Sequence, residues 1–149
     1  MKKLESDILK ILQEDCRVSA AEVAVMLGRE EAEVAAAIAE MERRGAIVKY
    51  TAILNSEAME DELVQALIEV RVSPQKSSGF DAIAEEIYRC EEVTSCYLMS
   101  GGFDLAVFIE GKSLREVARF VSERLSTLDD VLSTATHFIL KKYKIEGTI

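Results

Sequence analysis

The sequence predicts an α+β chain, with an N-terminal winged helix-turn-helix followed by a βαββαβ ferredoxin-like α/β-sandwich domain. Three observations predict it. Residues 1–45 carry three short helical stripes separated by breaks and capping signals. Residues 63–140 alternate strand-like and helix-like runs in the order β-α-β-β-α-β. Between them lies a polar, acidic stretch, "NSEAMEDE" (55–62), which reads as a linker continuous with a strand on either side. The expected division is a winged helix-turn-helix domain over 1–54, the linker over 55–62, and a ferredoxin-like domain over 63–149.

In the first domain, "ESDILKILQE" (5–14) places Ile8, Leu9, Ile11 and Leu12 on one helical stripe. "DCRVS" interrupts it. Ser19 and Glu22 have capping-box spacing, in which each side chain satisfies a free N–H of the other residue. Val23, Ala24 and Leu27 form the buried face of that second helix, and Gly28 ends it. In the third helix Val34, Ile38 and Met41 recur on one face, and Gly45 ends it. "AIVKYTAIL" (46–54) is β-branched and alternating, which predicts a strand or short hairpin, the wing.

In the second domain the expected strands cover 63–72, 93–100, 105–110 and 131–140, with helices over 80–89 and 113–128. A loop containing Pro74 precedes the first helix, which Ser78 and Asp81 would cap. Ser113 and Glu116 form a second capping box. "CEEVTS" and "LDDVLS" follow the two helices as faint echoes of each other, as two β-α-β halves of one antiparallel sheet would.

Helices cover one face of such a sheet. The other should be polar if the domain stands alone in water. Here Leu63 and Leu67 oppose Val64, Ala66, Ile68, Val70 and Val72. Ala106 and Phe108 oppose Leu105, Val107 and Ile109. Phe138 and Leu140 oppose Val131, Ala135 and Ile139. A second apolar face needs a cover. Another copy of the same sheet is the simplest one, so a homodimer or higher homo-oligomer is expected.

Composition excludes several classes. With 149 residues and 49% hydrophobic content, the chain has enough apolar mass for two small cores. No apolar run is long enough to span a membrane, and "MKKLESDILKIL" does not read as a signal peptide. No membrane partner and a cytoplasmic location are expected. Cys16, Cys90 and Cys96 form no Cys-x-x-Cys pair, and His137 is the one histidine. The cysteines are expected to be reduced, small, buried residues, and no metal or other cofactor is expected. No nucleophile–base pair or paired catalytic carboxylates stand out, so no catalytic residues and no enzyme activity are expected. The net charge is −9. Residues 1–50 hold eight Lys/Arg against ten Asp/Glu, a balance of −2, and residues 51–149 hold ten against seventeen, −7. A nucleic-acid binder usually shows a basic patch, so tight nonspecific DNA affinity is not expected.

The ordered set of motifs resembles the Lrp/AsnC family of bacterial and archaeal transcription regulators over essentially the whole chain. Asp7, Ile8, Ile11 and Leu12 are similar to its opening helix. Val34, Ala37, Ile38, Met41, Gly45 and Ile47 are similar to its third helix. Gly101, Phe103 and Asp104 match its G-x-x-D turn, and Val131, Thr134, Thr136 and Leu140 its closing strand. The resemblance implies a dimer, often a higher oligomer, that binds palindromic DNA through its N-terminal domains. It also implies a small-molecule effector, commonly an amino acid, held between effector domains.

The third helix fits that role in spacing better than in chemistry. Its outward face carries Arg29, Ala32, Glu33, Ala36, Ala39, Glu40 and Arg43. Base readout and phosphate anchoring favour Arg, Lys, Asn, Gln and hydroxyls. Where the family has an arginine before the isoleucine, this chain has Ala37. A glutamate can still accept from cytosine N4. The candidate DNA contacts are Arg17, Arg29, Glu33, Ala36, Ala37, Arg43 and Lys49, with Lys2, Lys3 and Tyr50 as further backbone contacts. The candidate effector site is the turn Ser100, Gly101, Gly102, Phe103 and Asp104, where an N–H-rich bend suits an α-carboxylate and Asp104 an α-ammonium. A plain tight turn with Asp104 bonding its own backbone is the competing reading. Thr134, Thr136 and His137 are candidates for a second wall, with His137 by itself read as a packed or interface residue rather than a ligand contact. Two functions remain open: an amino-acid-responsive DNA-binding regulator, or a ligand-sensing or hetero-oligomerising module of the same family with weakened DNA binding.

Overall fold

The computed structural model describes residues 1–73 and 79–149. They form two compact units, Met1–Ala52 and Ile53–Ile149. Pro74 and the Ser78 cap lie outside the described residues.

The first unit is built from α1 (Lys3–Glu14), α2 (Ala20–Leu27) and α3 (Glu31–Arg43). Ile8, Leu12, Val23, Ala24, Val34 and Met41 bury a common core, with Leu9, Ile11, Leu27 and Ile38 half-buried at its margin. The capping box is present: the Glu22 N–H donates to Ser19 Oγ (3.2 Å) and the Ser19 N–H to Glu22 Oε2 (2.8 Å). Gly28 turns the chain between α2 and α3 at φ 62°, a left-handed conformation that side chains disfavour.

Glu5 was not marked by the sequence. It is 5% exposed and is the one buried charged residue among the described residues. Its Oε2 accepts from the Lys2 N–H (3.1 Å) and from Arg44 Nη2 (2.8 Å), tying the start of α1 to the end of α3.

The expected wing does not pair. Residues 46–54 form no strand. A strand needs a ladder partner, and the first unit holds no other strand among its described residues. The segment instead folds back on α3. The Ala46 and Ile47 N–H groups both donate to the Met41 carbonyl (2.8 and 3.2 Å), and Tyr50 Oη donates to Glu42 Oε1 (2.9 Å). The linker is likewise not continuous with a strand on its N-terminal side. Asn55 caps a short 3₁₀ turn, Ser56–Ala58, through the Glu57 N–H (3.1 Å).

The second unit contains β1 (Val64–Val72), α4 (Gly79–Tyr88), β2 (Val93–Leu98), β3 (Leu105–Gly111), α5 (Leu114–Phe120) and β4 (Val131–Phe138). The sheet order is β2-β3-β1-β4, antiparallel at every pairing. This is the arrangement expected of a β-α-β-β-α-β chain. The helix expected over 113–128 is shorter. After Phe120 it widens into a π turn, Val121–Leu125, closed by the Ser126 N–H on the Val121 carbonyl at 2.8 Å. Ser113 accepts from the Glu116 N–H (3.1 Å), but Glu116 reaches back to the Lys112 N–H (2.8 Å) rather than to Ser113.

Ala66, Ile68, Val70, Leu105, Val107 and Ile109 bury one sheet face against Ile83, Ile87, Val117 and Phe120 of α4 and α5. The pairing register puts Leu67, Ala106, Phe108, Ala135 and Tyr97 on the other face. That face is less uniformly apolar than the sequence suggests. Gln65 donates to Glu110 Oε1 (2.6 Å), and His137 Nε2 lies 3.5 Å from Glu69 Oε2. Val131, expected opposite Phe138, shares its side instead. A register shift at Arg71/Val72 brings Val131 opposite Val72, so both pack against the helix-covered core. Leu140 lies beyond the strand, 92% exposed. The cysteines are free, as expected, but half-buried rather than buried.

The Glu5 clamp predicts an acid signature. Its hydrogen bond from Arg44, then that from the Lys2 backbone, hold the carboxyl below its ordinary value of 4.5. The folded state therefore favours the charged form. This contribution is complete above the unfolded pKa and fades as pH falls through the lower folded value. Glu5→Gln should lower the thermal midpoint at pH 7, and the deficit should shrink as pH falls from 7 through the lowered folded value. Circular dichroism melts across that range check it, and an equal deficit at both ends contradicts the clamp.

Candidate functional site

The residues proposed for DNA contact lie on the first unit, and most of the arginines are engaged. Arg17 holds Asp15 through two bonds (3.1 and 3.2 Å). Arg29 forms a two-pronged pair with Glu33, four residues on; its Nε–Oε2 distance is 3.1 Å. Arg43 does the same with Glu40 (2.8 and 2.6 Å). Each guanidinium holds its partner's carboxyl below the ordinary range, so both pairs stay charged. All four side chains remain substantially open to solvent, with Arg29 46% and Glu33 44% exposed.

Ala36 is exposed, as a surface contact requires, but Ala37 is half-buried at the core margin. Lys49 is exposed on the segment after α3. A groove of about 610 Å³ runs between the start of α1 and α3, with Lys2, Lys3 and Asp7 on one wall and Arg29, Glu33, Ala36, Ala37 and Glu40 on the other. Arg44, which the sequence did not single out, is committed to Glu5. The 39-residue separation of that pair left no local signal.

The candidate effector residues lie on the second unit. Ser100, Gly101 and Gly102 are exposed at the β2–β3 turn, and Phe103 and Asp104 are half-buried. Gly101 sits at φ 111°, where a side chain is strained, and open space surrounds both glycines. Asp104 does more than close its own turn. Its carbonyl accepts from the Met99 N–H (2.8 Å), its N–H donates to Val70 O (3.0 Å), and its Oδ2 accepts from the Val72 N–H (2.9 Å). The carboxylate thus extends the β1–β3 ladder past the last backbone pair, Val70↔Leu105. Neither the ligand-pairing role nor the plain-turn alternative anticipated this bond.

Thr134 and Thr136 pair with Val70 and Ile68 and share the helix-covered face; Thr134 Oγ1 lies 3.3 Å from Ser126 Oγ. β1 stands between them and the glycine turn, so two strand spacings, about 9.6 Å, separate the groups. Within one chain they do not form two walls of a single small pocket. Among the described residues no group of three or more His, Cys, Asp or Glu side chains is placed to hold a metal ion. No helix there is long and apolar enough to cross a membrane.

Comparison with known proteins matches both units. The Lrp/AsnC ligand binding domain covers residues 65–149, and a winged helix-turn-helix DNA-binding model covers residues 1–48. The chain belongs to the Lrp/AsnC family of transcriptional regulators. It is 48% identical over 146 residues to the uncharacterised HTH-type transcriptional regulator YugG of Bacillus subtilis, covering 97% of this chain and 88% of that protein. It is 25% identical over 142 residues to the leucine-responsive regulatory protein of Escherichia coli, covering 95% and 86%. A Neisseria meningitidis regulator solved in complex with L-Met superposes with TM-score 0.77 at 23% identity, covering 100% of this chain and 96% of that one. This Lrp/AsnC regulator therefore carries a DNA-binding and a ligand-binding domain, and its relatives are regulators rather than enzymes.

The Asp104 ladder bond has a measurable consequence. Removing a charged acceptor from a half-buried N–H costs about 1.5–3 kcal/mol. Asp104→Ala should lower the unfolding free energy by that amount at pH 7, read as a fall in the urea midpoint at unchanged slope. A variant that loses effector binding with an unchanged midpoint would show that the carboxylate serves the ligand alone.

Proposed function

We propose that this Lrp/AsnC regulator binds DNA as a homo-oligomer and that an amino acid at its effector domain shifts that binding. The observation that carries the oligomer is the open sheet face. α4 and α5 pack on one side, while Leu67 and Phe108 are half-buried and Tyr97 is 53% exposed on the other. Tyr97 stacks edge-on against Phe108 at 5.9 Å, a rigid aromatic pair of the sort enriched at interfaces. A second copy of the same face covers it by twofold symmetry. A dimer also presents two copies of α3, as two half-sites one helical turn apart require.

The amino acid is supported by the open glycine turn beside Asp104, by the leucine-responsive relatives, and by a structural neighbour solved with L-Met. An effector directed to that turn would engage Ser100, Gly101, Gly102, Phe103 and Asp104, with Thr134 and Thr136 contributing only indirectly through β1.

A second reading rests on a specific observation. Two arginines that flank the recognition face are held by glutamates of α3 itself. That favours weak, salt-sensitive DNA binding, or a ligand-sensing module that no longer reads DNA. Mobility shift with the protein's own upstream region separates the two. The primary reading expects a retarded complex at low salt that weakens steeply by about 200 mM. No shift at any concentration leaves the second.

The oligomer has its own test. Light scattering on dilute protein should return a multiple of 16.5 kDa. Leu67→Glu, which places an unpaired charge at the centre of the open face, should move the mass towards a single chain without loss of secondary structure. A wild-type protein that already scatters as one chain ends the oligomer proposal.

A further inference from the structure

We propose that Glu33, held in place by Arg29, reads the exocyclic amino group of a cytosine in the DNA major groove. This rests on the DNA-binding reading above and sets the sequence preference of that surface.

Most helices that read the major groove offer donors to guanine or mixed donor–acceptor amides to adenine. α3 offers neither. Its groove-lining stripe runs Glu33, Ala36, Ala37 and Glu40, with Arg29 beside it. The carboxylates can only accept. Cytosine N4 and adenine N6 are the donors on the major-groove edge. Adenine places the N7 acceptor beside its amino group, so a second carboxylate oxygen meets a lone pair there. Cytosine carries no such acceptor on its own major-groove edge, and a carboxylate favours it.

Glu33 fits this task better than Glu40. Recognition helices contact base edges with their N-terminal residues, and Glu33 lies in the first turn of α3, whereas Glu40 lies in the last. The Arg29 fork fixes the carboxylate plane through both oxygens. A carboxylate has about four acceptor positions, so two remain for a base. The guanidinium also cancels the charge that phosphates would repel. Ala36 and Ala37 add no bulk on the stripe, which lets the helix backbone approach closely, and the exposed Ala36 methyl suits a neighbouring thymine methyl.

The experiment is selection of bound sites from a random DNA pool by the full-length protein, repeated with Glu33→Ala and Glu33→Gln. Wild type should enrich one cytosine per half-site whose replacement by thymine weakens binding about five- to a hundred-fold. Glu33→Ala should erase the preference at that position only. It should also steepen the salt dependence by about one phosphate contact, because Arg29 is released. Glu33→Gln should move the preference from cytosine to adenine, since an amide pairs with N6 and N7. A purely structural Arg29–Glu33 pair would instead weaken all sequences alike and leave the preference in place, which overturns the proposal. Enriched sites lacking a Glu33-dependent cytosine overturn it too, while leaving DNA binding intact. If wild type enriches nothing, DNA binding itself fails, and the cytosine contact with it.

Discussion

A four-stranded sheet has two faces, and the connectivity of the second unit supplies helices to one of them. α4 and α5 both cross over the side bearing Ala66, Ile68, Val70, Leu105, Val107 and Ile109. Backbone pairing then fixes what remains on the other side, because residues alternate along each strand between its register shifts. Leu67, Ala106 and Phe108 are therefore outward by geometry, whatever their hydrophobicity. Burying them on the same face would require a one-residue slip that exposes the whole core. The Gln65–Glu110 and Glu69–His137 pairs interrupt the apolar surface of the outward face. They also give it polar groups that constrain the register of any partner. The homo-oligomer proposed above would cover this open face, and it would also supply the paired helices that a two-half-site operator needs.

On the first unit the decisive balance is between two weak claims on the same arginines. An exposed ion pair on a helix is worth about 0–1 kcal/mol. Neutralising a phosphate gains counterion entropy that grows as salt falls. The glutamates therefore do not lock Arg29 and Arg43 away from DNA. They lower the gain from each contact and, by competing for the arginines, the number of phosphates the surface neutralises. A chain with net charge −9 has little long-range attraction to spare for DNA, so this local exchange carries more weight than in a basic regulator. The same glutamates turn a surface poor in donors into one that discriminates by accepting.

Local chemistry was legible in the sequence, and non-local closure was not. Ser19 with Glu22, Gly28, and the Val34–Met41 stripe encode their structure within a few residues and appear as expected. The strand order of the second unit was legible because each strand and helix carries its own period. The strand expected over 46–54 is absent because a β-branched run becomes a strand only with a partner, and periodicity does not report partners. The faces of Val131 and Phe138 were misjudged because a register shift at Arg71/Val72 reverses the parity on which face assignment depends. Glu5–Arg44 and Asp104–Val72 escaped for a shared reason. Each joins residues more than thirty positions apart, and neither side chain differs from an ordinary surface charge until the fold brings its partner in.

The Asp104 bond also bears on how an effector at the glycine turn would be felt elsewhere. Its Oδ2 already accepts from Val72, while its Oδ1 and spare lone pairs can meet an ammonium group. A cation there would draw charge from the bond to β1, at the residue where β1 changes register against β4. Register shifts are points where a sheet bends with little cost to the rest of its ladder. The end of β1 also carries the outward face on which a second copy would sit. An effector bound at that turn would thus have a short physical route to the proposed interface: one carboxylate, one strand end and one irregular pairing.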